Sequence, residues 1–205
     1  MNRIGVLALQ GGFEAHAKVL RDLGAEVVEV RRVAELSGIR GLVIPGGEST
    51  TLLNLMADEP WRDGIRRFHA DGGAVMGTCA GAILLAREVE NPSQESLGLL
   101  DATIERNAFG RQVDSFETTL DAPSVGGRLE AVFIRAPRIT RVGPNVEVLA
   151  RLGHEPVVVR EGRVLATTFH PELTDDAKLH ACFLAMAGSA ALKDAGARVP
   201  AGRFL

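Results

Sequence analysis

Across 205 residues there is no tyrosine and one tryptophan, and aromatic side chains make up only 4%, so the core this chain builds is aliphatic. Cysteine is almost as scarce. Cys79 and Cys182 do not make a disulfide framework, and the expectation is a protein of the reducing cytoplasm. Charge of one sign is not concentrated either: 23 Lys and Arg against 26 Asp and Glu leave a formal −3. Nothing electrostatic therefore favours nucleic acid or an anionic membrane as partner. The pairs Arg31-Arg32 and Arg66-Arg67 are isolated and read as solvated positions. No apolar run reaches transmembrane length. The apolar run at 4–9 is ended by Gln10-Gly11-Gly12, too early for the core of a signal peptide.

What is present suits one large α/β domain, with 46% hydrophobic and 24% charged residues. Strand-like runs at 4–9, 25–30, 41–44 and 74–77 alternate with helix-like segments, which indicates βαβ units and a parallel sheet. Phe13, Ala17 and Leu20 share a helix face closed by Gly24; residues 48–56 read as a second helix, and Trp61, Ile65 and Phe68 mark a third. Residues 88–98 read as a loop. Short strands are expected at 102–106, 115–119, 131–135, 146–152 and 157–159, as antiparallel hairpins added to the parallel sheet, and another at 163–169. Thr174 is the expected cap of a final helix with Leu179, Cys182, Phe183 and Met186 on one face. The fold class predicted is thus a three-layer α/β sandwich: a mostly parallel central sheet, helices on both faces and added hairpins, over residues 1–188. Residues 189–205 have no clear period and read as a C-terminal tail.

The centre of this pattern is Gly77-Thr78-Cys79-Ala80-Gly81, where an apolar strand meets a small-residue helix. A side chain at the tip of so sharp a turn needs small neighbours, because the backbone approaches closely and is strained. Cys79 is the candidate nucleophile, and the helix starting at Ala80 aims unpaired N–H groups at its sulfur. Among five histidines only His170 has a helpful neighbourhood. Pro171 keeps it extended, so His170 and Glu172 project to the same side as base and orienting carboxylate. His16 and His180 on helices, His154 beside a turn and His69 at a helix end read as structural. Pro45-Gly46-Gly47 also follows a strand and opens a helix; it lacks a phosphate loop's Gly-Lys-Ser/Thr ending. Beside a nucleophile its better role is an oxyanion hole, with Gly47 N–H and Ala80 N–H as donors. Cys182 falls in the core by periodicity and is assigned no chemistry, and no metal ligand set or cofactor is expected.

Gly77-Thr78-Cys79-Ala80-Gly81, His170-Pro171-Glu172 and the Pro45-Gly46-Gly47 turn together resemble the triad-type, class I glutamine amidotransferases. Leu9-Gln10-Gly11, Gly46-Gly47-Glu48-Ser49-Thr50-Thr51, the stretch at 106–112, Ser115-Phe116-Glu117 and Phe133-Ile134-Arg135-Ala136-Pro137 narrow this. They are similar to the glutaminase subunits of pyridoxal 5′-phosphate synthases. The resemblance implies hydrolysis of L-glutamine through a γ-glutamyl thioester on Cys79, with substrate contacts from Gly47, Glu48, Ser49, Arg106, Ile134 and Arg135. It also implies a (β/α)8-barrel synthase as partner, to which ammonia passes by a protected path and which switches the glutaminase on. Gln10, at the end of the first strand, is a candidate for that contact. Paired glycines permit a peptide flip, so an oxyanion hole not yet formed in the free subunit is expected.

Three other readings stay open on the sequence alone: a glutaminase serving another synthase, such as that of imidazole glycerol phosphate; a purely structural subunit without activity, which the intact constellation disfavours; and a cysteine redox sensor or chaperone on a related fold. A glutamine-analogue electrophile separates the last from a glutaminase. It labels Cys79 stoichiometrically and spares Cys182 if Cys79 is the nucleophile, as peptide mass spectrometry reads out; no adduct at Cys79 favours the sensor.

Overall fold

The computed structural model describes residues 3–106 and 115–189. The expected tail from 190 onward and positions 107–112 lie outside the described residues. In chain order the first half runs β1 (Arg3–Leu7), α1 (Phe13–Asp22), β2 (Glu26–Val30), β3 (Gly41–Ile44), α2 (Ser49–Leu55), α3 (Trp61–Ala70), β4 (Ala74–Thr78) and α4 (Ala80–Leu85). The second half is strand-rich: β5 (Ala86–Glu90), β6 (Leu100–Glu105), β7 (Phe116–Ala122), β8 (Gly127–Phe133), β9 (Arg138–Val142), β10 (Glu147–Leu152), β11 (Glu155–Glu161) and β12 (Val164–Thr167), closed by α5 (Lys178–Gly188).

Seven strands form the central sheet in the order β10-β11-β12-β4-β3-β1-β2. From β12 to β2 every pairing is parallel, and β11 and β10 extend the sheet antiparallel. Successive side chains leave a strand on opposite faces, and the core divides accordingly. Leu42, Ile44, Val75, Val164 and Ala166 face Leu52, Trp61 and Ile65 of α2 and α3. Ile4, Val6, Val43, Met76 and Leu165 face Ala17 and Leu20 of α1 and Leu179 and Phe183 of α5. The result is the expected three-layer α/β arrangement, with β12, β4, β3 and β1 buried on both faces.

The hairpin region departs from expectation. Of the hairpin strands among the described residues, only β10 and β11 join the central sheet; β5, β6 and β9 make a separate three-stranded sheet, and β7 and β8 a two-stranded one. Residues 86–90, partly read as loop, are β5 and pair parallel with β6. Only Ala86 and Val89 of that strand are buried, too thin an alternation to announce it. β9 was not signalled at all, since Ile139 is its single buried residue. The final helix starts at Lys178 rather than after Thr174. A 3-10 turn over Pro171–Leu173 intervenes, and the Thr174 hydroxyl is spent locally, donating to Pro171 O and accepting from Asp176 N.

Register explains why the loops after the parallel strands gather. Ile44 of β3 lies opposite Gly77 of β4, and Thr78 opposite Thr167 of β12, so three chains leave the sheet side by side at one carboxyl edge. α4 then packs against β3 with almost no clearance. A Cβ on Gly81 would lie 2.0 Å from Ile44 O, and one on Gly77 would lie 2.6 Å from Gly81 C. Backbone cannot yield as a flexible side chain does, so Gly81→Ala is expected to cost about 3 kcal/mol and lower the melting temperature by roughly 6–12 °C. Thermal unfolding followed by circular dichroism checks this; an unchanged midpoint contradicts the close approach.

Candidate active site

Cys79 stands between β4 and α4 with φ 49° and ψ −105°, in the left-handed half of backbone space that a side chain rarely adopts. Strain of this kind costs on the order of 1–3 kcal/mol and persists only where the surroundings over-determine it. Here they do: Cys79 N donates to Thr167 O at 2.9 Å, and Cys79 O accepts from Ile83 N at 3.2 Å. The side chain is 7% exposed. Ala80, as the first residue of α4, has a backbone N–H without an intrahelical partner.

β12 delivers the imidazole. His170 N donates to Val132 O at 2.9 Å, and the 3-10 turn that begins at Pro171 folds Glu172 back beside the ring. His170 Nδ1 and Glu172 Oε1 are 2.8 Å apart, which leaves Nε2 as the ring nitrogen available to Cys79. Burial disfavours the imidazolium, but hydrogen bonds to Cys79 and Glu172 outweigh it and push the His170 pKa up to about 10. Burial likewise disfavours the Glu172 carboxylate, and the hydrogen bond from His170 holds its pKa below the ordinary carboxyl range. Gly46 has to be glycine at this point: a Cβ there would meet His170 Cε1 at 2.4 Å and Cys79 Cβ at 3.3 Å.

A cleft of about 390 Å³ opens above Cys79 and His170, bordered by Gln10, Gly47, Glu48, Ser49, Ile83, Arg106, Ile134, Arg135 and Pro137. Every residue the sequence nominated for the site and its mouth, except Ala80 and Glu172 beneath it, therefore lines one cavity. The structure adds detail to several. Glu48 is the N-cap of α2, accepting from Thr50 N at 3.1 Å and from Thr51 N and Oγ1 at 2.6 and 2.8 Å. Partial burial opposes its ionisation, yet those bonds prevail and bring its pKa down to about 2. Arg106 Nη2 donates to Thr50 Oγ1 at 2.8 Å and lies 3.4 Å from Glu48 Oε1. Arg135 has φ 44°, a left-handed residue that turns the chain at the cleft's rim. Gln10 is folded inward: its Oε1 accepts from Glu48 N at 3.3 Å, and its amide lies where a Cβ on Gly47 would stand. The Gly46 carbonyl accepts from Gly12 N at 3.2 Å, which holds the plane of the Gly46–Gly47 peptide.

Two histidines read as structural lie beneath this site. His16 and His180 are fully buried; His16 Nε2 is 3.3 Å from Glu172 Oε2 and 3.1 Å from Thr78 Oγ1, and its Nδ1 is 2.9 Å from His180 Nε2. The available signal was that His16 shares the apolar face of Phe13, Ala17 and Leu20, where an imidazole needs a partner. His69 and His154 lie elsewhere, His69 holding Gly73 O at 3.0 Å and His154 exposed in a turn. Cys182 is half-buried against the α5 side of the core, where burial pushes its thiol pKa up. Gln94, in the loop after β5, was also unforeseen; its Oε1 accepts from Ser49 Oγ at 3.0 Å behind the cleft.

A parallel sheet with a cysteine elbow at its carboxyl edge and an imidazole from the adjacent strand defines a class, the α/β amidotransferases, and comparison with solved structures agrees. A crystal structure described as a glutamine amidotransferase superposes with a TM-score of 0.85 at 52% identity, covering 90% of this chain and 98% of that one. The profile of the SNO glutamine amidotransferase family matches residues 6–189, and the chain belongs to that family. It is similar to the pyridoxal 5′-phosphate synthase subunit PdxT of Deinococcus radiodurans, 55% identical over 193 residues, 92% of this chain and 98% of that protein. The subunit of the same name from Thermus thermophilus is 54% identical over 187 residues, 90% of this chain and 97% of that protein.

The raised His170 pKa has a direct consequence. The ring stays protonated as pH rises past its ordinary 6.5 and releases its proton only toward about 10. Cys79→Ala deletes one of the two partners that hold the proton, so titration moves to lower pH. Imidazole NMR on selectively labelled protein checks both; a titration near 6.5 in the intact chain contradicts the geometry.

Proposed function

We propose that the chain is the glutaminase of a pyridoxal 5′-phosphate synthase, hydrolysing L-glutamine to glutamate and ammonia. The observation that supports this above the others is the line Cys79, His170, Glu172 at the floor of a cleft that also holds Gly47, Glu48, Ser49, Arg106, Ile134 and Arg135. The names of the two PdxT relatives supply the pathway.

In this reading Cys79 Sγ, as thiolate, attacks the side-chain amide carbon and the carbonyl electron pair moves onto oxygen. Ala80 N–H and Gly47 N–H stabilise that oxyanion. Donation by Gly47 requires its N–H to face Cys79. Any reorientation of that peptide has to break the bond from Gly12 N to Gly46 O. His170 delivers its Nε2 proton to the departing nitrogen, the C–N bond breaks, and ammonia leaves a γ-glutamyl thioester on Cys79. His170, now neutral, takes a proton from water as the water oxygen attacks the thioester carbon. Glutamate departs and the thiolate–imidazolium pair is restored. Glu172 remains ionised throughout and keeps the ring oriented.

The zwitterion of glutamine needs partners of both signs. Arg106 and Arg135 supply positive charge at the cleft, with backbone groups of Ser49 and Ile134 beside them. Glu48 is the anionic candidate, but its two oxygens already accept from Thr50, Thr51 and Arg106. An incoming ammonium therefore competes best for the long Arg106 contact at 3.4 Å. Ammonia released into water would be protonated and lose its nucleophilicity, which is why a synthase subunit with a (β/α)8 barrel is the partner proposed. Gln10 at the rim, adjoining Gly47, is where contact with it would be sensed. Both cysteines are free, in keeping with the cytoplasm.

Glutamate release with and without the pyridoxal 5′-phosphate synthase subunit tests this. Release is expected in its presence and is not stimulated by an imidazole glycerol phosphate synthase, and Cys79→Ala loses about 10³-fold or more. No release from the intact chain with its synthase sinks the proposal.

A further inference from the structure

Glu172 has two carboxylate oxygens, and the reaction uses only Oε1, which faces His170. Oε2 is turned the other way, into a pocket whose polar groups come from three elements: His16 of α1, Thr78 of β4 and His180 of α5. All three are inaccessible to solvent, and the Glu172 side chain is 2% exposed. Among the described residues, His170, beyond the carboxylate, is the other ionisable group that acts on His16. Oε2 is buried without a hydrogen bond, and His16 Nε2, 3.3 Å away, is in electrostatic contact with it; a carboxylate so enclosed needs a donor facing each oxygen, since an unpaired buried charge is costly.

We propose that His16, backed by His180, is a positioning residue of the glutaminase reaction: a neutral imidazole whose Nε2 proton holds Glu172 ionised and in line with His170. This rests on the reading of Cys79, His170 and Glu172 given above. The tautomers follow from the contacts. An ionised Glu172 only accepts, so the His16 nitrogen 3.3 Å from Oε2 has to be the N–H, shared with the Thr78 oxygen at 3.1 Å. His16 Nδ1 is then an acceptor and takes a proton from His180 Nε2 at 2.9 Å. That leaves His180 Nδ1 as a bare lone pair, and this atom is buried without a hydrogen-bond partner. A lone pair is the less costly group to leave unmet. The opposite choice of tautomers would set the His16 Nε2 lone pair against the carboxylate and bury an N–H with no acceptor. Burial keeps both rings uncharged: it lowers the His16 pKa and brings that of His180 down to about 3. The line of contacts from His180 through His16 and Glu172 to His170 thus leads to the cleft floor at Cys79. Thr78, the residue immediately before Cys79, joins the line through its hydroxyl, 3.1 Å from His16 Nε2.

Side-chain amides separate this role from packing. The amide nitrogen of Gln reaches the place of His Nε2 and can serve Glu172; that of Asn stops near Nδ1 and cannot. With the cognate synthase present, His16→Asn and His16→Leu are expected to lower kcat about 10- to 100-fold with KM within about twofold, and His16→Gln to stay within about threefold of the parent. Without its donor the buried carboxylate takes a proton more readily. The acid limb of the kcat/KM profile therefore moves to higher pH by about one unit in the Asn and Leu variants and stays put in the Gln variant. Equal losses in Gln and Asn variants with an unmoved acid limb would make His16 a packing residue and overturn the proposal, as would full activity in His16→Asn. If His16→Leu does not fold, the Gln and Asn pair decides alone. Absence of glutamate release by the parent chain sinks the reaction itself, and the role of His16 with it.

Discussion

The site depends on how closely α4 can approach the sheet. With Gly81 in contact with the carbonyl of Ile44 and Gly77 against Gly81, the chain reverses at Cys79 within one residue, and the side chain there has no choice but a left-handed backbone. The strain is held by ladder-like bonds from Cys79 N to Thr167 and from Ile83 to Cys79 O, so the sulfur's position is set by β12 as much as by β4. His170 leaves from β12 itself. Cys79 and His170 thereby follow two neighbouring strands of one sheet, and their relative placement is set by the fold.

Below the sulfur the problem is electrostatic. Glu172 and His16 are packed where water does not reach, His170 is largely buried at the cleft floor, and each would be costly alone. They are affordable as a set because every proton has an acceptor along the line. Glu172 accepts from His170 on Oε1, His16 Nε2 stands 3.3 Å from Oε2, and Oε2 and the His180 Nδ1 are the atoms of this line left without a hydrogen bond. Above the sulfur the cleft is open and polar, and its anionic wall, Glu48, is at the same time the cap that starts α2. The carboxylate that starts α2 is thus also part of the cleft wall.

The elements with strong period were legible in the sequence. β1, β3 and β4 are continuous apolar runs, and α1 and α3 have clean apolar faces, so their places hold to within a residue or two. The small sheet was less legible, because β5 and β9 bury only one or two side chains each and are held by pairing with β6 rather than by their own pattern. The cysteine, the His-x-Glu pair and the glycine loop were visible as motifs; Glu48 as a cap and Gln94 behind Ser49 were not, since a hydrogen bond across the fold leaves no trace in spacing.

The sequence by itself determined which groups were chemically able to act: one cysteine flanked by glycines, a histidine held extended by the proline after it with a carboxylate two residues on, and a glycine turn after a strand. Such features are local, and local backbone rules read them. Only the tertiary structure decided that β12, β4, β3 and β1 are neighbours, for strand order depends on how the two faces of the sheet bury their side chains against helices far away in the chain. The same long-range packing brings His16 and His180, 164 residues apart, onto the far side of Glu172. No spacing rule connects them; burial does, because the interior that encloses a carboxylate must also supply its donors.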